Sequence, residues 1–441
     1  MTKARICLVG DIVVDVTLKT KNNPIKMRLG GIMHAARALW AMDIPFSVAY
    51  FAPAYLDGQI TDFLNSICCS DIFKLGDVDG APYVFLVEEA KEIGDQGYEF
   101  LLRDAITVTY DESAILQMLK QSFDDYFFIS GNYDQTLLIN RVSGKVHIDV
   151  ANNINDLAFF STIDRPLDTV FVSTSSTIFQ TFFKDSYEAF AELFRPFCAR
   201  MVLKENRGGT RATSFKESQN AHIGAQTRTI AHSIGVGDVF DITYIAKKDI
   251  LSFHQALVLA SWMAGEYAQT TYPDDFKTQA DRLLQSNLNE LEAMGGVTLP
   301  WEQRAKVQIY IAAPDFDFVK REPIEWLCNA LTYHHFCPRR PVAEHGQMEV
   351  NANKSRKQQL FQKDMQLLDE CQLLIAVLLY DDPGTLIEIG LAAAKGIPTI
   401  VYDPYNIATN CMLTELPTLV SNDLDEIMAE VFIQSSLIKY E

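Results

Sequence analysis

The chain has 441 residues, 48% hydrophobic and 22% charged, with 38 Lys and Arg against 57 Asp and Glu and a formal charge of −19. This composition excludes wholesale disorder and low-complexity architecture, and the acidic balance argues against a nucleic-acid backbone or an anionic membrane as the main partner. At roughly 100–200 residues per domain, the length calls for two or three domains, each able to bury a core.

The longest apolar runs, such as 373–380, fall far short of a spanning helix, so no membrane partner is expected. The N-terminal segment enters a strand-like run holding Asp11 and Asp15, which does not read as a signal peptide. The eight cysteines show no C-x-x-C pairing and read as reduced core thiols of a cytoplasmic protein. The pair His334-His335 lacks a carboxylate or thiol at ligand spacing, so no metal site is expected.

In chain order, the run 4–9 predicts a buried strand that opens a domain, with Asp11 and Asp15 at its end. Gly30-Gly31 then leads into a small-residue helix. Three β-rich runs within 82–110, interrupted by Gly94-Asp95-Gln96-Gly97, predict a small antiparallel flap. Strand-like runs at 126–129, 145–150, 169–173 and 200–203 alternate with helical ones at 186–194 and 253–270, which predicts a parallel sheet flanked by helices. The segment 233–240, Ser-Ile-Gly-Val-Gly-Asp-Val-Phe, sets glycines at a helix start, where free N–H groups and the helix dipole suit an anionic phosphate. Asp238 inside that turn is placed to take a proton from an attacking hydroxyl; on spacing alone it reads equally as an N-capping residue.

Taken in order, Asp11 to Asp15, Gly30-Gly31 and the glycine turn at 235–238 resemble the ribokinase-like (PfkB) family of sugar and nucleoside kinases, over roughly residues 4–296. That resemblance implies a ribokinase-like sheet domain with a small β lid. It implies that Asp15, Gly30 and Gly31 bind sugar hydroxyls, that Gly235, Val236 and Gly237 form an anion hole, and that Asp238 is the catalytic base. ATP and Mg²⁺ would be the cofactors, with 204–209 near the nucleotide. Three places depart from the family pattern. His232-Ser233-Ile234 precedes the glycine turn, His34-Ala35-Ala36 follows the glycine pair where asparagine is usual, and 173–177 carries no carboxylate.

Gly and Pro residues between 294 and 301 mark a boundary, with 297–304 as a linker. From 305 to 441 the pattern reads strand (307–312), helix (319–334), helix (357–370), strand (373–379), helix (384–395), strand (398–402). This predicts a doubly wound parallel sheet, Rossmann-like and flavodoxin-like. After the strand at 373–379 come Asp381, Asp382 and Pro383-Gly384, and Glu388 sits one turn into an otherwise apolar helix. A carboxylate in such surroundings is costly unless it is paired or used. It suits attack on, or stabilisation of, a cationic anomeric carbon, and Asp364 on the preceding helix is a candidate second carboxylate.

Residues 309–316, Asp364 and the run Asp382-Pro-Gly-Thr-Leu-Ile-Glu-Ile-Gly390 resemble the nucleoside 2-deoxyribosyltransferase family, which includes nucleotide N-glycosidases. The resemblance implies that Glu388 is the nucleophile at C1′ and that Asp364 positions the sugar or protonates the base. Asp382 would touch sugar or base, Tyr310 would orient the nucleophile, and no cofactor would be needed. It also implies a homo-oligomer, because family members usually build the site between subunits, and residues 438–441 are placed to reach a neighbour. In the loop 314–318, Asp315 and Asp317 would repel a phosphate and Phe316 is suited to stack on a base, which favours an uncharged nucleoside. Lys354, Arg356 and Lys357 read as a solvated helix start rather than as a phosphate site.

Together these readings describe a bifunctional enzyme of nucleoside metabolism acting on a small nucleoside or sugar. The alternative is a degenerate kinase half that senses a nucleoside or nucleotide and regulates an N-glycosidase.

Overall fold

The computed structural model describes residues 5–17, 25–80, 84–87, 98–100, 106–150, 154–227, 230–349 and 351–438. The described residues divide into two compact units, one ending at Thr298 and the other beginning at Leu299.

The first unit is built on a ten-stranded sheet. Its order is Gln219–Ile223, Thr210–Ser214, Cys198–Lys204, Leu167–Ser173, Lys145–Val150, Asp125–Ile129, Ile6–Asp11, Phe46–Ala52, Ile72–Asp79, Thr107–Tyr110. The central strands from Cys198–Lys204 to Ile72–Asp79 run parallel, and antiparallel strands close both edges. Parallel strands lie under helices on both faces and read as unbroken apolar runs. Accordingly Phe46–Ala52 and Asp125–Ile129 are buried along their whole length. The helices Met33–Ala41, Val236–Lys247 and Phe253–Ala268 pack together on this core.

A separate four-stranded sheet has the order Lys26–Leu29, Val14–Thr17, Val84–Val87, Tyr98–Phe100. It corrects two expectations. Asp15 does not lie at the end of the first strand but inside this second sheet, paired in register with Arg28 and Phe85. The third run of the expected flap, Thr107–Tyr110, instead pairs with Ile72–Asp79 at the edge of the large sheet. Local β propensity marks a run as a strand, whereas its pairing partner is set by long-range packing. Gly94 to Gly97 lie outside the described residues.

The second unit is a five-stranded, fully parallel sheet. Its order is Cys337–Arg339, Gln308–Ala312, Leu373–Val377, Thr399–Tyr402, Leu419–Ser421. Numbered along the chain this is 2-1-3-4-5, the flavodoxin-like order. Doubly wound sheets bind ligands beyond the C-terminal ends of the strands where that order reverses, here between Gln308–Ala312 and Leu373–Val377. Cys337–Arg339, Leu419–Ser421 and the helix Leu424–Ser436 were not anticipated from the sequence. The strands are only three residues long and carry little periodic signal. The α/β class and the order of the two sheet types agree with expectation.

Candidate functional site

In the second unit the reversal point is occupied by chemistry. Strand Leu373–Val377 ends before a turn, and Asp382 caps the helix Pro383–Ala394 by accepting the Thr385 N–H at 2.8 Å and its hydroxyl at 2.9 Å. Proline at the first helical position completes the start signal. This cap fixes the helix and so carries Glu388, one turn on, over the neighbouring strand. There Tyr310, fully buried on Gln308–Ala312, donates its hydroxyl to Glu388 Oε1 at 2.7 Å. The bond joins residues 78 positions apart.

Burial pushes the Glu388 pKa up to about 7 against the Tyr310 hydrogen bond, with the Asp364 and Asp382 carboxylates raising it further. Burial and the Glu388 charge in turn push the Tyr310 phenol far above its ordinary range, so Tyr310 acts as a neutral donor. The group is a partly buried carboxylate with one oxygen held by a neutral hydroxyl. It has nucleophile character once ionised, and its negative charge suits an oxocarbenium-like centre.

The other expected site residues take definite places. Asp364 lies on the helix Lys354–Glu370, and its Oδ1 is 2.8 Å from His345 Nδ1. It therefore influences Glu388 electrostatically while bonded elsewhere. His345 was not anticipated, because it ends a five-residue helix, Pro341–His345, that carries no motif of its own. Asp382 is committed to its cap, as the helix-start signal around Pro383 foreshadows. Phe316 stacks on Phe318 with centroids 5.4 Å apart and planes at 13°, so one of its faces is already covered.

The loop 314–318 is also less bare than its sequence suggests. Asp315 is buried and held by Arg340 through two contacts of 2.9 Å, while Arg340 also bonds Glu325 at 3.0 and 3.1 Å. Arg321 lies 3.6 Å from Asp315 and 3.7 Å from Asp317. Bonding to Asp315, with Glu325 second, raises the Arg340 pKa. These residues line an open cleft of about 430 Å³ together with Val342, Ala343 and Gln347. Three acids against two arginines leave the cleft weakly acidic rather than strongly so. The expected repulsion of phosphate is correspondingly reduced.

In the first unit the glycine turn forms as expected. Gly235 has φ 73° and opens the helix Val236–Lys247, with Asp238 in its first turn. Asp238 is therefore not the capping residue. Burial and the Asp149 carboxylate push its pKa up to about 7, against the pull of Lys204 and with a contribution from Asp15. Lys204 itself is 2.6 Å from Asp241 and 3.4 Å from Asp149. Burial opposes its charge, but the two carboxylates hold its pKa above the ordinary lysine value.

At the place expected for a sugar, Asp15 is bonded to a side chain of the protein. His34 Nε2 is 3.0 Å from Asp15 Oδ2, and His34 Nδ1 is 2.7 Å from the Tyr267 hydroxyl. Burial lowers the His34 pKa to about 4, so the neutral ring donates from Nε2 to Asp15 and accepts from Tyr267. A Cβ at Gly235 would lie 2.0 Å from His34 Cγ, and one at Gly30 would lie 2.3 Å from both Asp15 carboxylate oxygens. Glycine is required at both positions because the buried ring and carboxylate press against them. Gly31 has φ 61°, and a Cβ there would lie 2.2 Å from the Asp11 carbonyl oxygen. Arg28 lies 4.0 Å from Asp15 and 3.2 Å from His232 Nδ1, and His232 donates to the Thr270 carbonyl at 2.9 Å. His34 and His232 are two of the positions where the sequence departs from the kinase pattern.

A Cβ on Gly237 would lie 3.1 Å from Lys204 Nζ, so a cation, itself bonded to Asp241, lies beside the turn. Among the described residues no three His, Cys, Asp or Glu side chains gather as a cation ligand set.

Several solved structures are similar to part of the chain. A ribokinase from Giardia lamblia is 14% identical with a TM-score of 0.48, covering 64% of this chain and 100% of that one. A microbiome-derived acarbose kinase is 17% identical with a TM-score of 0.47, covering 65% and 100%. An Arabidopsis thaliana ribokinase complexed with ribose and ATP is 11% identical with a TM-score of 0.47, also covering 65% and 100%. Comparison with curated proteins finds no match. No described helix is long and apolar enough to cross a membrane. Residues 309–422, which hold Tyr310, Asp364, Asp382 and Glu388, match the family model described as nucleoside 2-deoxyribosyltransferase.

Proposed function

We propose that the second unit breaks or exchanges the N-glycosidic bond of a (deoxy)nucleoside, with Glu388 as the nucleophile. The observation that carries this reading is the 2.7 Å Tyr310–Glu388 bond at the reversal point of the parallel sheet. Ionised Glu388 attacks C1′ and forms a glycosyl ester as the base departs. Water or a second base then takes the sugar from the ester. Tyr310 holds one carboxylate oxygen and so directs the other at the sugar. No cofactor enters this chemistry. Base release from a panel of deoxynucleosides and nucleosides, followed chromatographically, tests the reading. Wild-type release that persists unchanged in Glu388→Ala would sink it. A homo-oligomer belongs to the same reading and is checked by light scattering; a monomer with full activity would remove it.

For the first unit, His34 between Asp15 and Gly235 favours a module of the sugar- and nucleoside-kinase type that has lost phosphoryl transfer and retains ligand sensing. In the kinase reading, ATP brings its own Mg²⁺, the turn at 235–237 faces the phosphate and Asp238 takes the hydroxyl proton. ATP consumption across ribose and nucleosides separates the two, with Asp238→Asn as control. The sensing reading predicts ligand-dependent base release without ATP turnover, whereas turnover lost in Asp238→Asn would establish the kinase.

A further inference from the structure

A nucleobase leaves poorly as an anion, so cleavage of the C1′–N bond needs a proton delivered to a ring nitrogen of the base. Near Glu388 most candidate donors are committed. The Tyr310 hydroxyl is bonded to Glu388 itself, and both contacts of Asp382 Oδ2 are with Thr385. Asp364 is an acceptor in its bond to His345 Nδ1 at 2.8 Å. That bond orients the imidazole. A ring that gives its Nδ1–H to a carboxylate is held in one orientation and exchanges its other proton at Nε2. Asp364 also bears electrostatically on both Glu388 and Tyr310, which ties the pair to the same site. Val342, Ala343 and Gln347, two or three positions from His345, line the cleft beside the loop 314–318.

We infer that His345 is the catalytic acid that protonates the departing base and that Asp364 is its positioning residue. This rests on the reading of Glu388 as nucleophile and assigns the second half of that step. As the Glu388 carboxylate forms its bond to C1′, the C1′–N electron pair passes to the base, and the Nε2 proton of His345 moves to a ring nitrogen. The imidazole is left neutral. In the second half, Nε2 takes a proton from the incoming water or base N–H as the ester bond to Glu388 breaks, which restores the starting state.

The test compares two leaving groups. Deoxyadenosine needs a proton on its base, whereas 7-methyl-2′-deoxyguanosine carries a cationic base that departs neutral without one. In His345→Ala, release from deoxyadenosine falls about 10²-fold or more, the range of a lost general acid, while release from the methylated substrate stays within about 3-fold of wild type. Asp364→Asn shows the same pattern with a smaller loss. Retained activity on the methylated substrate also reports a folded site. Equal losses on both substrates, or no loss on either, would overturn the assignment while leaving Glu388 in place. Wild-type protein that releases no base from either substrate would overturn the nucleophile reading and this inference together.

Discussion

The two units each hold an acid whose pKa is pushed up to about 7, chiefly by burial, yet the surroundings of the two acids differ. Glu388 has one neutral hydroxyl partner, and its neighbouring acids are bonded to His345 and to Thr385. Asp238 shares its surroundings with Asp149, Lys204, Asp241 and Asp15, and Asp15, the acid expected to recognise a sugar, is satisfied by His34. A perturbed pKa marks a buried acid, but presentation to a ligand decides its use. In the second unit the acid stands at the end of the sheet where the strand order reverses, and in the first Asp15 is bonded to His34 and Lys204 to Asp149 and Asp241.

The largest expected effect breaks the comparison outright. Glu388→Ala lowers base release at least about 10³-fold, as loss of a nucleophile does, whereas Asp238→Asn leaves it unchanged. Comparable losses in both variants would erase the distinction between the units.

Tyr310→Phe sharpens the comparison. It removes the Tyr310 donor to Glu388 and costs about 1–3 kcal/mol of transition-state stabilisation, read as roughly a 5- to 150-fold fall in kcat/KM. Because the hydroxyl lowers the Glu388 pKa, the acid limb of the pH profile moves upward in this variant. A profile that stays in place would argue against the bond acting on Glu388.

Glu388 must be ionised to attack, and its pKa is raised to about 7. Wild-type kcat/KM therefore falls about tenfold per unit as the pH drops below about 7. A flat profile between pH 5 and 8 would contradict the burial argument.

The same shift makes a stability claim. A carboxyl whose folded pKa is raised stabilises the protein below its unfolded pKa, and that contribution is lost as the pH rises through about 7. Glu388→Gln keeps an acceptor for Tyr310 without the charge. It should gain about 1–3 kcal/mol at pH 9 and almost nothing at pH 4 by denaturant unfolding, while losing activity. Destabilisation at both pH values would show that the charge is fully compensated.

The smallest expected change concerns Asp315. Its pairing with Arg340 and Arg321 leaves the cleft weakly acidic, so deoxyadenosine is preferred over its 5′-monophosphate by only a few-fold at physiological salt. A strong preference for the monophosphate would show that the arginines break away from Asp315 to meet it.

Much of the second unit was legible because its signals are local. An apolar strand, Asp382 with Pro383 behind it, and a carboxylate in an apolar helix are written within sixteen residues, from Leu373 to Glu388, and capping and helix start act over that range. The α/β alternation of the first unit and the left-handed Gly235 turn were local in the same sense. Tertiary structure decided the remainder. It brought Tyr310 to Glu388 across 78 positions, turned Asp364 to His345, covered Asp315 with Arg340, and placed Asp15 on a second sheet against His34. Each of these joins groups that no local signal pairs, and Tyr310, Asp315, Asp15 and His34 lose their water in doing so. Local sequence specifies which groups are present and which elements carry them; the packing of those elements decides which groups lose their water together.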